Sequence, residues 1–189
     1  MRSVSARRLT AIVASATALF ALCCGGIAYA IISPTFQYTS PQTTYLSLNP
    51  MAFSPKGKSD AAHFQISPPF WIEKDVGALS VCMEAGVNLP DGARITSLTA
   101  WGSTGTDQAI QVRLQRANLA TGAANGVVGL VSHNTSQSRF SMSSSASGAA
   151  AVVNNQHFSY GLEACLVDST VNSLFYGARI TYTYTTAGG

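Results

Sequence analysis

Over residues 109–116 apolar and polar side chains alternate without a break: Ile110, Val112 and Leu114 share one parity, and Gln111, Arg113 and Gln115 share the other. A period of two predicts a half-buried β-strand. The same period recurs in residues 79–89, where Leu79, Val81 and Met83 alternate with Ser80, Cys82 and Glu84. It recurs in residues 158–167 around Leu162, Ala164 and Leu166, and in residues 178–185, where Ile180, Tyr182 and Tyr184 alternate with Arg179, Thr181 and Thr183. Residues 93–101, rich in Ile, Thr and Trp, add another strand. The nearly continuous apolar run of Val127, Val128, Leu130 and Val131 predicts a strand covered on both faces, with residues 139–142 as its candidate partner. Shorter candidates are residues 45–48, residues 63–66 with Phe64 and Ile66 inward, and residues 70–72 after the Pro68-Pro69 break.

Turn chemistry separates these runs. Leu89-Pro90-Asp91-Gly92 is a turn, because Pro90 presets φ and Gly92 reaches conformations closed to other residues. With strands on both sides of it and a polar loop over residues 102–108, residues 87–116 are expected to form an antiparallel hairpin within one sheet. Residues 55–60 read as a hydrated turn, and the small-residue stretch 143–151 as a flexible loop tip. No segment after residue 30 shows a helical period with caps. About nine short strands joined by turn residues predict an all-β fold: an antiparallel β-sandwich of jelly-roll or Greek-key type.

The N-terminus follows a different pattern. Arg2, Arg7 and Arg8 precede an apolar stretch over residues 9–24, and Ala28-Tyr29-Ala30 supplies a small-x-small cleavage site. Residues 1–30 therefore read as a signal peptide. The rival reading is an uncleaved anchor, since the apolar run continues to Ile32 and is long enough to span a bilayer. Residues 31–43, with Pro34 and Pro41 and little periodicity, read as an extended leader, and residues 44–186 as a single β-sandwich domain. The expected destination is secreted, periplasmic or cell-surface, with membrane contact expected only if the signal segment is retained.

Removing that segment changes the charge. The chain has 11 Lys and Arg against 8 Asp and Glu, and Arg2, Arg7 and Arg8 account for the excess, so eight face eight in the remainder. A balanced chain lacks the clustered basic surface that a nucleic-acid partner requires. Sparse charge also defends poorly against self-association, so the chain itself or another surface protein is an expected partner.

Two cysteines remain after residue 30, Cys82 and Cys165, in a chain addressed to an oxidising compartment. A disulfide is the expectation. Both fall on the polar parity of their strands, beside Glu84 and Glu163, and neighbouring strands would bring them together on one face. The alternative is a pair of unbridged buried thiols.

Catalytic signatures are sparse. His63, His133 and His157 lie in separate segments without metal-ligand spacing, and no G-x-S-x-G or S-x-x-K motif occurs. Neither a metal nor a cofactor is expected. Most carboxylates, Asp91 among them, sit in turns where Asp bonds the local backbone. Glu84 and Glu163 share a face and are candidates for a cation such as calcium, or for two solvated charges. The aromatics give the best binding argument: Trp71, next to Phe70, and Trp101 lie at strand ends or beside loops, where an exposed ring stacks on a sugar or anchors a partner, the alternative being core filling.

The order Tyr45-Leu46-Ser47-Leu48, Pro50-Met51-Ala52-Phe53, Leu89-Pro90-Asp91-Gly92-Ala93 and Arg179-Ile180-Thr181-Tyr182-Thr183 resembles a group of uncharacterised secreted bacterial β-sandwich proteins with an LPDGA-type turn. The resemblance implies export and fold class, and no active site. Two functions from different classes follow. The first is a non-enzymatic structural, surface or envelope protein that assembles with itself. The second is a secreted module that binds a carbohydrate or another ligand through Trp71 or Trp101. A hydrolase is the least supported reading.

Overall fold

The computed structural model describes residues 37–67, 70–74, 80–104, 109–131, 139–167 and 173–186. The signal segment, the leader residues before Gln37, His133 and the carboxylates Asp75, Asp107 and Asp168 lie outside them.

Eleven strands are described: β1 (Gln37–Leu48), β2 (Ser54–Pro55), β3 (Phe64–Ser67), β4 (Trp71–Lys74), β5 (Ser80–Val87), β6 (Arg94–Ser103), β7 (Ala109–Asn118), β8 (Ala124–Val131), β9 (Arg139–Ser145), β10 (Phe158–Val167) and β11 (Leu174–Thr186). They form two antiparallel sheets. The six-stranded sheet has the order β3-β4-β11-β6-β9, with β1 also paired to β11, and the five-stranded sheet has the order β2-β5-β10-β7-β8. An all-β antiparallel sandwich is thus observed, and its chain passes repeatedly from one sheet to the other, as jelly-roll and Greek-key connections do.

The alternation in sequence becomes the two faces of each sheet. In β7 the buried Ile110, Val112 and Leu114 face inward, and Gln111, Arg113 and Gln115 face outward. In β5 the inward set is Val81, Met83, Ala85 and Val87, and in β10 it includes Leu162, Ala164 and Leu166. The six-stranded sheet answers with Ile72, Ile95, Leu98, Ala100, Phe175, Ala178 and Ile180. Burying such a side chain contributes roughly 1.5–3 kcal/mol before chain entropy is subtracted. Phe53, just after a 3₁₀ turn (Pro50–Ala52), closes one region of this core by packing edge-on against Phe175 with centroids 5.2 Å apart.

The turn after β5 differs from the hairpin expected of it. β5 belongs to the five-stranded sheet and β6 to the six-stranded one, so Leu89-Pro90-Asp91-Gly92 is an arch between sheets. Gly92 has φ +73°, the Ala93 amide donates to Pro90 O, and the arch is tied to residues 153–155: Gly92 N donates to Val153 O at 2.9 Å and Asn155 N to an Asp91 carboxylate oxygen at 2.7 Å. Asp91 is a turn former, as the sequence suggests. Local turn chemistry is the same for an arch and a hairpin; which sheet receives the next strand is decided by packing.

Other segments also depart from expectation. Gln37–Leu48 is one strand, so the last seven residues assigned to the leader belong to β1. β8 lies at a sheet edge with Gly129 exposed, and β9 pairs with β6 in the other sheet instead of with β8. Ser143 to Ser145 continue β9, and the following alanines form a 3₁₀ turn (Ala149–Ala151) whose Ala151 is fully buried. A strand ladder is made by backbone groups, so small side chains do not prevent it. The hydrated turn at residues 55–60 runs into a single helical turn, α1 (Lys58–Ala61).

Candidate functional site

The outer face of the five-stranded sheet is built in rows by strand register. One row runs Ser54–Glu84–Glu163–Arg113–Gly129 across β2, β5, β10, β7 and β8. The next runs Gly86–Gly161–Gln115–Gly126, and a third runs Ser159–Ala117–Ala124. The middle row is nearly bare. Above it lies a cleft of about 490 Å³ lined by Ser54, Glu84, Gly86, Gln115, Ser159, Gly161 and neighbouring backbone. A second hollow of about 430 Å³, lined by Arg113, Gln115, Gly126 and Gly129, shares Gln115 with it and extends over the β8 edge.

The glycines make this groove, and the fold does not ask for them. Gly86, Gly126 and Gly161 are absent from the positive-φ positions. A Cβ at Gly86 or Gly126 would meet nothing within 4 Å, and one at Gly161 would meet only Ala85 O at 3.7 Å. Glycine in a strand interior costs roughly 0.5–1 kcal/mol relative to alanine, so three of them here weaken the sheet with no conformational return. Their effect is to leave backbone open to close approach, the role glycine serves where a ligand lies against a strand.

Charge borders the groove on one side. Glu84 and Glu163 stand directly opposite each other on β5 and β10. Lys56, just after β2, donates to Glu163 at 2.5 Å and lies 3.6 Å from Glu84. The Glu163 hydrogen bond holds the Lys56 ammonium above its ordinary 10.5, against a smaller opposing effect of burial, with the charges of both glutamates adding to the rise. The solvated reading holds for Glu84, whose side chain is 54% exposed, and not for the buried Glu163, and a lysine takes the place between them that a calcium ion would need. Among the described residues no group of three or more His, Cys, Asp or Glu converges to hold a metal. Arg113 donates to Gln111 Oε1 at 3.1 Å, which fixes a second planar polar pair on the same face.

The cysteines close the border row. Cys82 and Cys165 are register partners, one row beyond the glutamates, and are joined by a disulfide with Cα atoms 4.1 Å apart. α1 covers this end: Asp60 accepts the Cys82 amide at 2.9 Å, and Lys56 N donates to Cys82 O.

Trp71 and Trp101 are not in this groove. Both are half-buried in strands of the opposite, six-stranded sheet. Trp71 Nε1 donates to Glu73 at 3.3 Å, and Glu73 also accepts from Ser67. Trp101 carries the Arg179 guanidinium over its ring, 5.3 Å from the centroid. His63 and His157 are exposed and apart from the groove's lining.

Sequence reasoning missed Gly86, Gly161 and Gln115 as a unit, although the signal was present. Glu84 follows Cys82 by two residues and Glu163 precedes Cys165 by two. In an antiparallel pair, a Cys–Cys register therefore opposes the two glutamates and, two residues further, opposes Gly86 to Gly161.

No family model matches the chain, and no curated protein matches it. Among solved structures it is similar to the CBM22-1 and GH10 modules of the Clostridium thermocellum endo-1,4-β-D-xylanase 10B in complex with xylohexaose, at 11% identity and TM-score 0.46 over 74% of this chain and 28% of that one. It is similar to a structure of infectious bursal disease virus, Gx strain, at 9% identity and TM-score 0.44 over 78% of this chain and 33% of that one. It is also similar to the xylan-binding module CBM15, at 7% identity and TM-score 0.45 over 75% of this chain and 97% of that one. The chain thus spans about a third or less of the first two, and no residue correspondence is carried over from any of the three.

Proposed function

We propose that this chain is an exported, non-enzymatic carbohydrate-binding module that holds a linear, uncharged oligosaccharide in the groove of its five-stranded sheet. The observation that carries the reading is the row Gly86–Gly161–Gln115–Gly126: glycines the backbone does not require, beneath an open cleft whose volume falls in the roughly 300–1,000 Å³ range of small-ligand sites. Its borders carry hydroxyl, amide, carboxylate and guanidinium groups from Ser54, Ser159, Gln115, Glu84 and Arg113. Such planar donors and acceptors match the paired hydroxyls of a sugar ring. The bound pair of glutamates supports binding over hydrolysis, since Lys56 occupies both. Export is supported by the N-terminal pattern and by the disulfide, which persists in oxidising compartments. No helix among the described residues is long and apolar enough to cross a membrane. The groove favours this reading over self-assembly, because a cleft that needs bare backbone serves a ligand and not a flat sheet-to-sheet contact.

A glycan array followed by calorimetry on the neutral hits tests the proposal. Binding is expected for at least one neutral chain and is expected to vanish in Gly161→Val with the fold intact. Neutral-chain binding that survives both Gly161→Val and Gly86→Val would remove the groove from the account.

A further inference from the structure

The other outer face has a different chemistry, and it is not part of the groove. On the six-stranded sheet, three neighbouring rows are Gly177–Trp101–Ser141, then Ser47–Arg179–Thr99–Ser143, then Tyr45–Thr181–Ser97–Ser145. Arg179 stands in the middle row between two diagonal rings. Its guanidinium carbon is 5.0 Å from the Tyr45 centroid and 5.3 Å from the Trp101 centroid. No carboxylate pairs with it, and its Nε is buried without a hydrogen-bond partner among the described residues. Apart from Gly177, the remaining places in the grid are held by hydroxyls.

The charge of this sheet is one-sided. Its strands carry Arg94, Arg139, Arg179 and Lys74 against Glu73 alone. Glu73 is already engaged by Ser67 and Trp71, and Lys74 is buried. Arg94 and Arg139 are exposed, and Arg139 lies on the same face as Arg179, against the Tyr176 ring at 5.9 Å. Arg139 opposes Ser103 and Arg179 opposes Thr99, so the two cations are offset by four residues, roughly 13 Å along the strands. The five-stranded sheet, by contrast, balances Glu84 and Glu163 with Arg113 and Arg116. Two ring-backed guanidinium groups set among hydroxyl rows, with Glu73 the one acid on the strands of this sheet and already hydrogen-bonded, form among the described residues a surface for a ligand with spaced carboxylates and many hydroxyls. A guanidinium takes a carboxylate through two parallel hydrogen bonds, and rings that hold it in place lower the ordering cost of that fork.

We infer that the Tyr45–Arg179–Trp101 face is a second binding site, for the carboxylate groups of an acidic polysaccharide. Arg179 is the central contact, with Trp101 and Tyr45 fixing it and offering ring surface, and Arg139 takes a second carboxylate along the chain. This gives Trp101 a binding role on a different face and with a different ligand class from those of the groove.

The probes are a polygalacturonate oligomer and the same oligomer fully methyl-esterified, titrated calorimetrically against the whole exported chain. The acid form is expected to bind with an affinity that falls with added salt, and the ester to bind about tenfold or more weakly. Arg179→Gln is expected to lose about tenfold or more, and Arg179→Lys, which keeps the charge and loses the fork, to fall between. Arg139→Gln, exposed on the sheet edge and harmless to folding, is expected to lose several-fold and to shallow the salt dependence. Equal binding of acid and ester, or wild-type binding by both Arg179→Gln and Arg139→Gln, would overturn the second site. Because the groove is read with neutral chains and this face with the acid–ester pair, either can fail without the other.

Discussion

Gly161 sits at the centre of the five-stranded sheet with room above it for a side chain, and that room makes it testable. A β-branched residue there suits a strand, and its Cβ meets only the Ala85 carbonyl, at an ordinary 3.7 Å. Gly161→Val is therefore expected to hold or raise thermal stability, by up to about 1 kcal/mol, while abolishing neutral-glycan binding. Scanning calorimetry beside the titration separates the two effects; a variant that loses binding by unfolding would show it as a lowered Tm. Lys56 supports a second expectation at this scale. Its pKa is raised by the Glu163 hydrogen bond, and the Tyr182 phenol is raised by burial. A raised folded-state pKa means that the folded chain holds its proton more tightly, so the stability from both groups is whole below their ordinary values of 10.5 and 10.0 and is lost as pH climbs through the folded values. Urea midpoints are expected to stay level through neutral pH and to fall above about pH 10. Lys56→Met should make that fall shallower; an unchanged slope would show that the ion pair contributes nothing to it.

At the level of elements, the pairing of β5 with β10 shows what was legible in the sequence and what was not. Alternation correctly placed Cys82, Glu84, Cys165 and Glu163 on outward positions, because inward and outward residues differ in polarity whatever the partner strand is. The partner itself was inferred from two cysteines and not from pattern, since a strand 83 residues away leaves no local trace. For the same reason the arch after β5 reads as a hairpin, and β8 as a strand covered on both faces: its Val127, Val128 and Leu130 are as apolar as such a strand's, yet Gly126 and Gly129 are exposed and, among the described strands, only β7 pairs with it. The groove is not legible along any one strand, because its floor is defined by absent side chains, which become a feature only when two strands align. The tryptophans were visible as residues, but the sheet to which each belongs was not. One consequence concerns the bridge. The chain-entropy model gives about 4 kcal/mol for closing a loop of this length. The Cys82→Ala/Cys165→Ala pair is expected to lose stability of that order in urea unfolding, with the fold retained because inward residues on both strands are untouched. A loss under about 1 kcal/mol would mean that the unfolded chain already keeps β5 and β10 close.

Taken as a whole molecule, the sandwich is assembled almost entirely from distant partners. β1 pairs with β11, β5 with β10 and β6 with β11, while β3–β4 and β7–β8 are the sequential hairpins among the described strands. Every remaining described pairing must close a long loop before any buried contact repays the lost entropy, which puts such sandwiches in the millisecond-to-second range or slower. The disulfide changes this order of events. With Cys82 tied to Cys165, β5 and β10 meet without a search, and β10 brings its other neighbour β7, already half of a hairpin with β8. The five-stranded sheet is thus expected to form first in the oxidised chain, with the six-stranded sheet, which includes both β1 and β11 near the chain's two ends, completed afterwards. Stopped-flow refolding should show the oxidised protein folding faster than Cys82→Ala/Cys165→Ala by about a thousandfold, the rate equivalent of about 4 kcal/mol, with unfolding rates nearly equal, the partition expected when a contact is already made in the transition state. Core truncations sharpen the comparison. Leu114→Ala, on the five-stranded side, should cost about 2–5 kcal/mol and slow folding, whereas Ile180→Val, on the β11 side, should cost about 0.5–1.5 kcal/mol and appear mainly as faster unfolding. If the oxidised and alanine forms fold at one rate, the bridged strands come together late, and the order must run from the six-stranded sheet instead.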